Sequence, residues 1–144
     1  MTGIFIFLVA VIWGSLSGQF VVQVVTSFVI AIIYLAGIPF SKVSRGMNFT
    51  GALVSVGQTI FFTVLFFGGN WITSEYIIDY NTWNAASITS LLSFSATLIY
   101  CFWQVPGKIL LARMCAFAPY FMEASMRMPA NQRVGFARQY RVTK

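Results

Sequence analysis

Residues 20–38 read FVVQVVTSFVIAIIYLAGI, nineteen residues without a charge. As an α-helix rising about 1.5 Å per residue, such a stretch is roughly as long as a bilayer's hydrocarbon core is thick, about 30 Å. Only Gln23, Thr26 and Ser27 and the phenol of Tyr34 interrupt its apolar character. Pro39 follows, and proline lacks the N–H that would continue the hydrogen-bond ladder. The stretch therefore predicts a membrane span that ends at Pro39.

The whole chain agrees with that reading. It has 144 residues, 58% hydrophobic and only 8% charged. Soluble domains carry about 25% charged residues. Lipid tolerates a surface that water would not, because a lipid-facing side chain has no need to be polar.

Upstream, Ile4–Trp13 is apolar but too short to cross alone, and Gly14, Ser15, Ser17, Gly18 and Gln19 separate it from Phe20. Two readings stay open. Residues 3–38 form one long tilted or kinked helix, or residues 3–16 fold back on 20–38 as a hairpin. Gly14 and Gly18 form a GxxxG pair, which suits a continuous helix packed closely on a neighbour, and this tips the balance to the long helix. No positive residue precedes the apolar run, which disfavours a cleaved signal peptide.

Downstream, two more spans are expected near 49–69 and 83–104. Gly68–Gly69 reads as a glycine helix end for the first, and Pro106–Gly107 as the break after the second. Ala86, Ser90, Ser93, Thr97 and Cys101 recur at steps of three and four, so they share one helical face, read as a packing face. Residues 108–128 are apolar but carry Lys108, Arg113, Glu123 and Arg127, which suits a C-terminal helix at the membrane interface. The expected fold is all-α: a polytopic membrane helix bundle with three main transmembrane helices, an N-terminal apolar segment and an interfacial helix. Residues 1–128 make one transmembrane domain, and 129–144 a basic tail.

Charge gives an orientation. Lys42 and Arg45 lie in the first loop, and the other seven basic residues follow the third span. The loop 70–82 holds Glu75 and Asp79 and no basic residue. Basic residues are retained on the cytoplasmic or matrix side, which puts the tail there and loop 70–82 opposite, in a bacterial inner membrane or an organelle membrane. Asn48-Phe49-Thr50 matches a glycosylation sequon but falls on the inner side, so it is expected to be unused.

The chemistry is constrained by what is missing. The chain has no histidine, two separated cysteines and three scattered acids. That removes the usual general base and the common metal and haem ligands, so no catalytic residue, cofactor or metal is expected. No expected span contains Asp, Glu, Lys or Arg, so the buried charge that marks many ion-coupled carriers is missing. The expectation is a non-catalytic subunit of a larger membrane complex. Gly14, Gly18, Ala86, Ser90, Ser93 and Thr97 would pack helices. Arg127, Arg133, Arg138, Arg141 and Lys144 would dock a partner or anionic lipid, at about 1 kcal/mol per basic residue near the surface. Its partners are then the bilayer and other membrane subunits, and nucleic acid is set aside. The alternative is a small homo-oligomeric channel or transporter whose path is lined by Gln58 and the Ser/Thr face.

Overall fold

A computed structural model describes residues 2–40, 42, 45–80 and 84–127, with side chains through residue 118. It contains three helices, α1 (Thr2–Gly37), α2 (Arg45–Tyr76) and α3 (Ala85–Arg127). Each is long and apolar enough to cross a membrane. The described residues thus form an all-helical fold with three candidate transmembrane helices.

α1 takes the long-helix form expected over residues 3–38, whereas α2 outruns its expected span at both ends and α3 outruns its own at the C-terminal end. α1 continues unbroken through Gly14–Gln19, which removes the hairpin. In lipid an open backbone N–H or C=O has no water to bond, so a helix persists through residues that would form a turn in water. At 36 residues α1 is about 54 Å long, more than the 40–45 Å of core plus headgroups, so it tilts or protrudes.

The helix end expected at Gly68–Gly69 is not there. α2 runs on to Tyr76, and none of the described glycines has a positive φ, so no left-handed glycine cap forms. The main chain of Ile77 and Ile78 closes the helix instead, both N–H groups donating to the Thr73 carbonyl. Ile78 then folds inward and is fully buried.

Nor does the third helix stop at Pro106–Gly107. α3 passes through both Pro106 and Pro119, so no separate interfacial helix begins at Lys108. Residues 108–127 are instead the extension of α3 beyond its charge-free part. Membrane helices tolerate an internal proline when local adjustment satisfies the carbonyl it frees. Asn84 caps the start of α3, its Oδ1 accepting from the Ser87 N–H at 2.8 Å.

α1 is the central helix. Gly14 lies beside Ser90 and Ser93, Gly18 beside Thr97, and Gly37 beside Ala116, so α1 and α3 run parallel. Trp13 meets Asn70, Phe20 meets Phe62, and Tyr34 meets Gly51, so α1 and α2 run antiparallel. α2 and α3 both lean on α1 and scarcely touch each other. Small residues dominate the described core: Ala10, Ala31, Ala52, Ala112 and Ala116 are buried, while large side chains such as Phe28, Leu53, Ile60 and Leu92 face outward. That is the inverse of a soluble core. Among lipid-facing helices, apolar burial gives no drive, and close backbone approach does the work.

Candidate functional site: the seams around the central helix

The α1–α3 seam unites two features that lie far apart in sequence, Gly14 and Gly18 with Ser90 to Thr97. A Cβ on Gly14 would fall 2.9 Å from the Ser93 Cβ and press on the Ser90 carbonyl oxygen. A Cβ on Gly18 would fall 2.9 Å from the Phe94 carbonyl oxygen and 3.1 Å from the Thr97 Cβ. Glycine is required at both places because the opposing atoms are backbone and cannot swing aside. Ser90 is buried, Ser93 and Thr97 are half-buried, and Ala86 is half-buried in the first turn of α3. The GxxxG pair and the small face of α3 thus meet each other within one chain.

The α1–α2 seam is knitted by aromatics. The Trp13 ring lies over Gly69, and its indole N–H donates to the Asn70 Oδ1 at 2.9 Å. Trp13 stacks edge-on with Phe20, and Phe20 packs on Phe62 at 5.8 Å between ring centres. Hydroxyls along α2 are satisfied locally: Ser55, Thr59, Thr63 and Thr73 each donate to the carbonyl four residues earlier. Such back-bonding lets a hydroxyl sit in an apolar medium without an outside partner. It is the reason these residues need not mark a water path.

At the opposite end from Trp13, Asn48 ties three helices together. Its Nδ2 donates to the Ala116 carbonyl at 3.1 Å, and Gly37 abuts the same nitrogen. Asn48 is 0% exposed, so the atom that would carry a glycan is enclosed. Expression in a glycosylating host should therefore give a chain whose mobility is unchanged by glycosidase. A glycan on Asn48 would require both a reversed orientation and an opened fold.

Lys42 and Arg45 are exposed at this end, Arg113 is exposed within a turn of Ala116, and Lys108 is exposed about two turns further in along α3. Glu75 and Asp79 lie at the other end, also exposed. Arg127 ends α3, its side chain outside the described region, and Arg133, Arg138, Arg141 and Lys144 lie outside the described residues altogether.

Among the described residues no three His, Cys, Asp or Glu side chains converge as metal ligands. Cys101 is half-buried and Cys115 exposed, both as free thiols. Gln58 faces outward from α2, away from the Ser/Thr face of α3.

Sequence reasoning overlooked three of these residues. Trp13 read only as part of an apolar run, Asn48 as a sequon, and Gly69 as a cap. A tryptophan placed seven residues before Phe20, on the same helical face, was the available signal for the first. No protein-family model, curated protein or solved structure matches this chain.

Proposed function

We propose that the chain is a non-catalytic integral membrane subunit of a larger multi-protein complex, packing against partner helices and docking through its basic tail on the cytoplasmic or matrix side. One observation carries the reading. Gly46, Gly57 and Gly68 recur every eleven residues along α2, about three helical turns, and all three are exposed with no neighbour within 4 Å among the described residues. Glycine inside a helix costs about 1 kcal/mol relative to alanine and gives lipid nothing in return. It serves where another backbone comes close. Gln58 stands beside Gly57 on that exposed side and offers an amide to a neighbouring helix.

The small face of α3, by contrast, is taken up by α1 and no longer argues for a foreign helix. That also removes the Ser/Thr lining from the channel alternative and leaves Gln58 as its remaining polar group.

Purification in mild detergent tests the proposal. Foreign subunits should co-migrate in fixed stoichiometry, and Gly57→Leu should strip them away by tenfold or more while the chain itself stays folded. A ring of this chain alone, conducting ions in liposomes, would overturn the reading in favour of the channel. Orientation is tested separately at Cys115, which is exposed near the basic end. A membrane-impermeant maleimide should reach it only from the cytoplasmic or matrix face.

A further inference from the structure

Because α2 and α3 lean on α1 and scarcely touch each other, a cleft opens between them toward the acidic end, with a volume of about 450 Å³. Small-molecule sites commonly range over about 300–1,000 Å³. Gly14 and Ser17 of α1 form the floor. Phe66 and Trp71 stand on the α2 side, and Leu91 and Phe94 on the α3 side. At the other end of the bundle Asn48 ties α2 to α3 through the Ala116 carbonyl, so the cleft belongs to the acidic end alone.

Polar groups gather at one part of this apolar cleft. The Tyr80 hydroxyl and the Ser90 Oγ lie 3.1 Å apart, and either can donate to the other. Two hydroxyls bring two protons, and one suffices for their mutual bond. The pair therefore retains a donor and several lone pairs. Asn70 and Ser74 also line this part. Ser17, only 4% exposed on the floor, has a hydroxyl with no hydrogen-bond partner among the described residues.

Charge selects the occupant. No residue lining the cleft is charged. Glu75 adjoins Ser74, Asp79 adjoins Tyr80, and no basic residue occurs between positions 70 and 82. An anionic head would meet repulsion and no counter-ion. A cationic head inside would be desolvated without a carboxylate on the wall. Trp71 and Leu91 are also largely exposed, so the walls continue into the exposed apolar surface of the bundle.

We propose that this cleft binds an uncharged amphiphile, its hydroxyl or carbonyl head at the Tyr80–Ser90 pair and its apolar body between Phe66, Trp71, Leu91 and Phe94. Two sources share that chemistry, a membrane-resident neutral lipid and a free isoprenoid alcohol. The proposal stands apart from the subunit reading, since it needs only this chain.

The test uses the full chain in phosphatidylcholine vesicles and a diacylglycerol bearing a diazirine on its acyl chain. Photolysis should label the peptides containing residues 66–74 and 90–94, saturably. Unlabelled diacylglycerol should compete and phosphatidylglycerol should not. Competition by farnesol at a lower concentration than diacylglycerol would identify the free alcohol as the better occupant, and the reverse would identify the lipid, both within the proposal. Tyr80→Phe keeps the wall and removes one hydroxyl, and should weaken labelling about five- to tenfold. Leu91→Trp fills the cleft from an exposed position and should abolish it. Labelling spread over outward residues such as Phe28 and Ile60, equal competition by phosphatidylglycerol, or unchanged labelling in both variants would each overturn the proposal.

Discussion

Gly14→Leu should separate α3 from α1 and lower the stability of the bundle by about 3 kcal/mol, at the upper end of what overpacking usually costs. The physical reason is the identity of the opposing atoms. The first side-chain carbon already presses on the Ser90 carbonyl oxygen and lies 2.9 Å from the Ser93 Cβ. A flexible side-chain tip would move aside, whereas a helical carbonyl moves only with its helix. Three further carbons leave α3 no way to keep its register against Gly18, where the Phe94 carbonyl and the Thr97 Cβ are also close, at 2.9 and 3.1 Å. Mixed micelles of mild detergent and dodecyl sulfate, followed by tryptophan fluorescence, measure the effect as an earlier unfolding midpoint. Gly57→Leu is the matched control. It adds the same side chain to another span where no described atom lies within 4 Å, and its midpoint should not fall. Equal loss in the two variants would mean that leucine disturbs the helices themselves and that the seam is not the cause.

Trp13→Ala should cost about 2–3 kcal/mol, somewhat less than a fully buried tryptophan, because Trp13 is only half-buried. The indole fills the space above Gly69 and touches Phe20, so its removal leaves a void that a rigid glycine backbone cannot close. It also strips the Asn70 Oδ1 of its donor. Trp13→Phe divides the two contributions. The ring remains, the N–H is lost, and the expected penalty shrinks to about 0.6 kcal/mol, an average interhelical hydrogen bond in a membrane. If Trp13→Phe were as damaging as Trp13→Ala, the hydrogen bond and not the ring would dominate this seam. The same micelle titration reads both, with Trp71 and Trp103 still present as reporters.

These two predictions mark how far sequence reading reached. Gly14 and Gly18 were legible as a close-approach pair, and Ser90, Ser93 and Thr97 as one helical face, since both follow from helical spacing alone. Their meeting was not legible. A face can be computed from 3.6 residues per turn, but its partner is chosen only when all three helices compete for position. Trp13 and Asn48 were hidden for a different reason. Asn48 acts through a long-range hydrogen bond to the Ala116 carbonyl, and Trp13 through its ring over Gly69 and its bond to Asn70, and none of these distant partners leaves a local pattern.

Helix ends were the least legible feature. Gly68–Gly69 and Pro106–Gly107 carry stop signals calibrated on proteins in water, where a freed carbonyl finds a solvent partner. Here the helices continue past both. In an apolar surrounding the alternative to a helix is an unsatisfied backbone, so the same residues lose their power to break it. Gly69 gains a packing task under Trp13 instead.

The nineteen residues from Phe20 to Ile38 determined, without help, that this chain has a helix long and apolar enough to span a membrane, because solvent preference is a property of composition and length. Loop charge likewise sorted Lys42 and Arg45 with Lys108 and Arg113 by sequence position alone. Only the tertiary structure decided that α1 stands in the middle, that its glycines take up the small face of α3, and that a cleft remains between α2 and α3. Hydropathy could not decide these points, because in lipid the buried and the exposed faces of a helix are equally apolar. What separates them is how closely two backbones approach, and that distance exists only after the helices have packed.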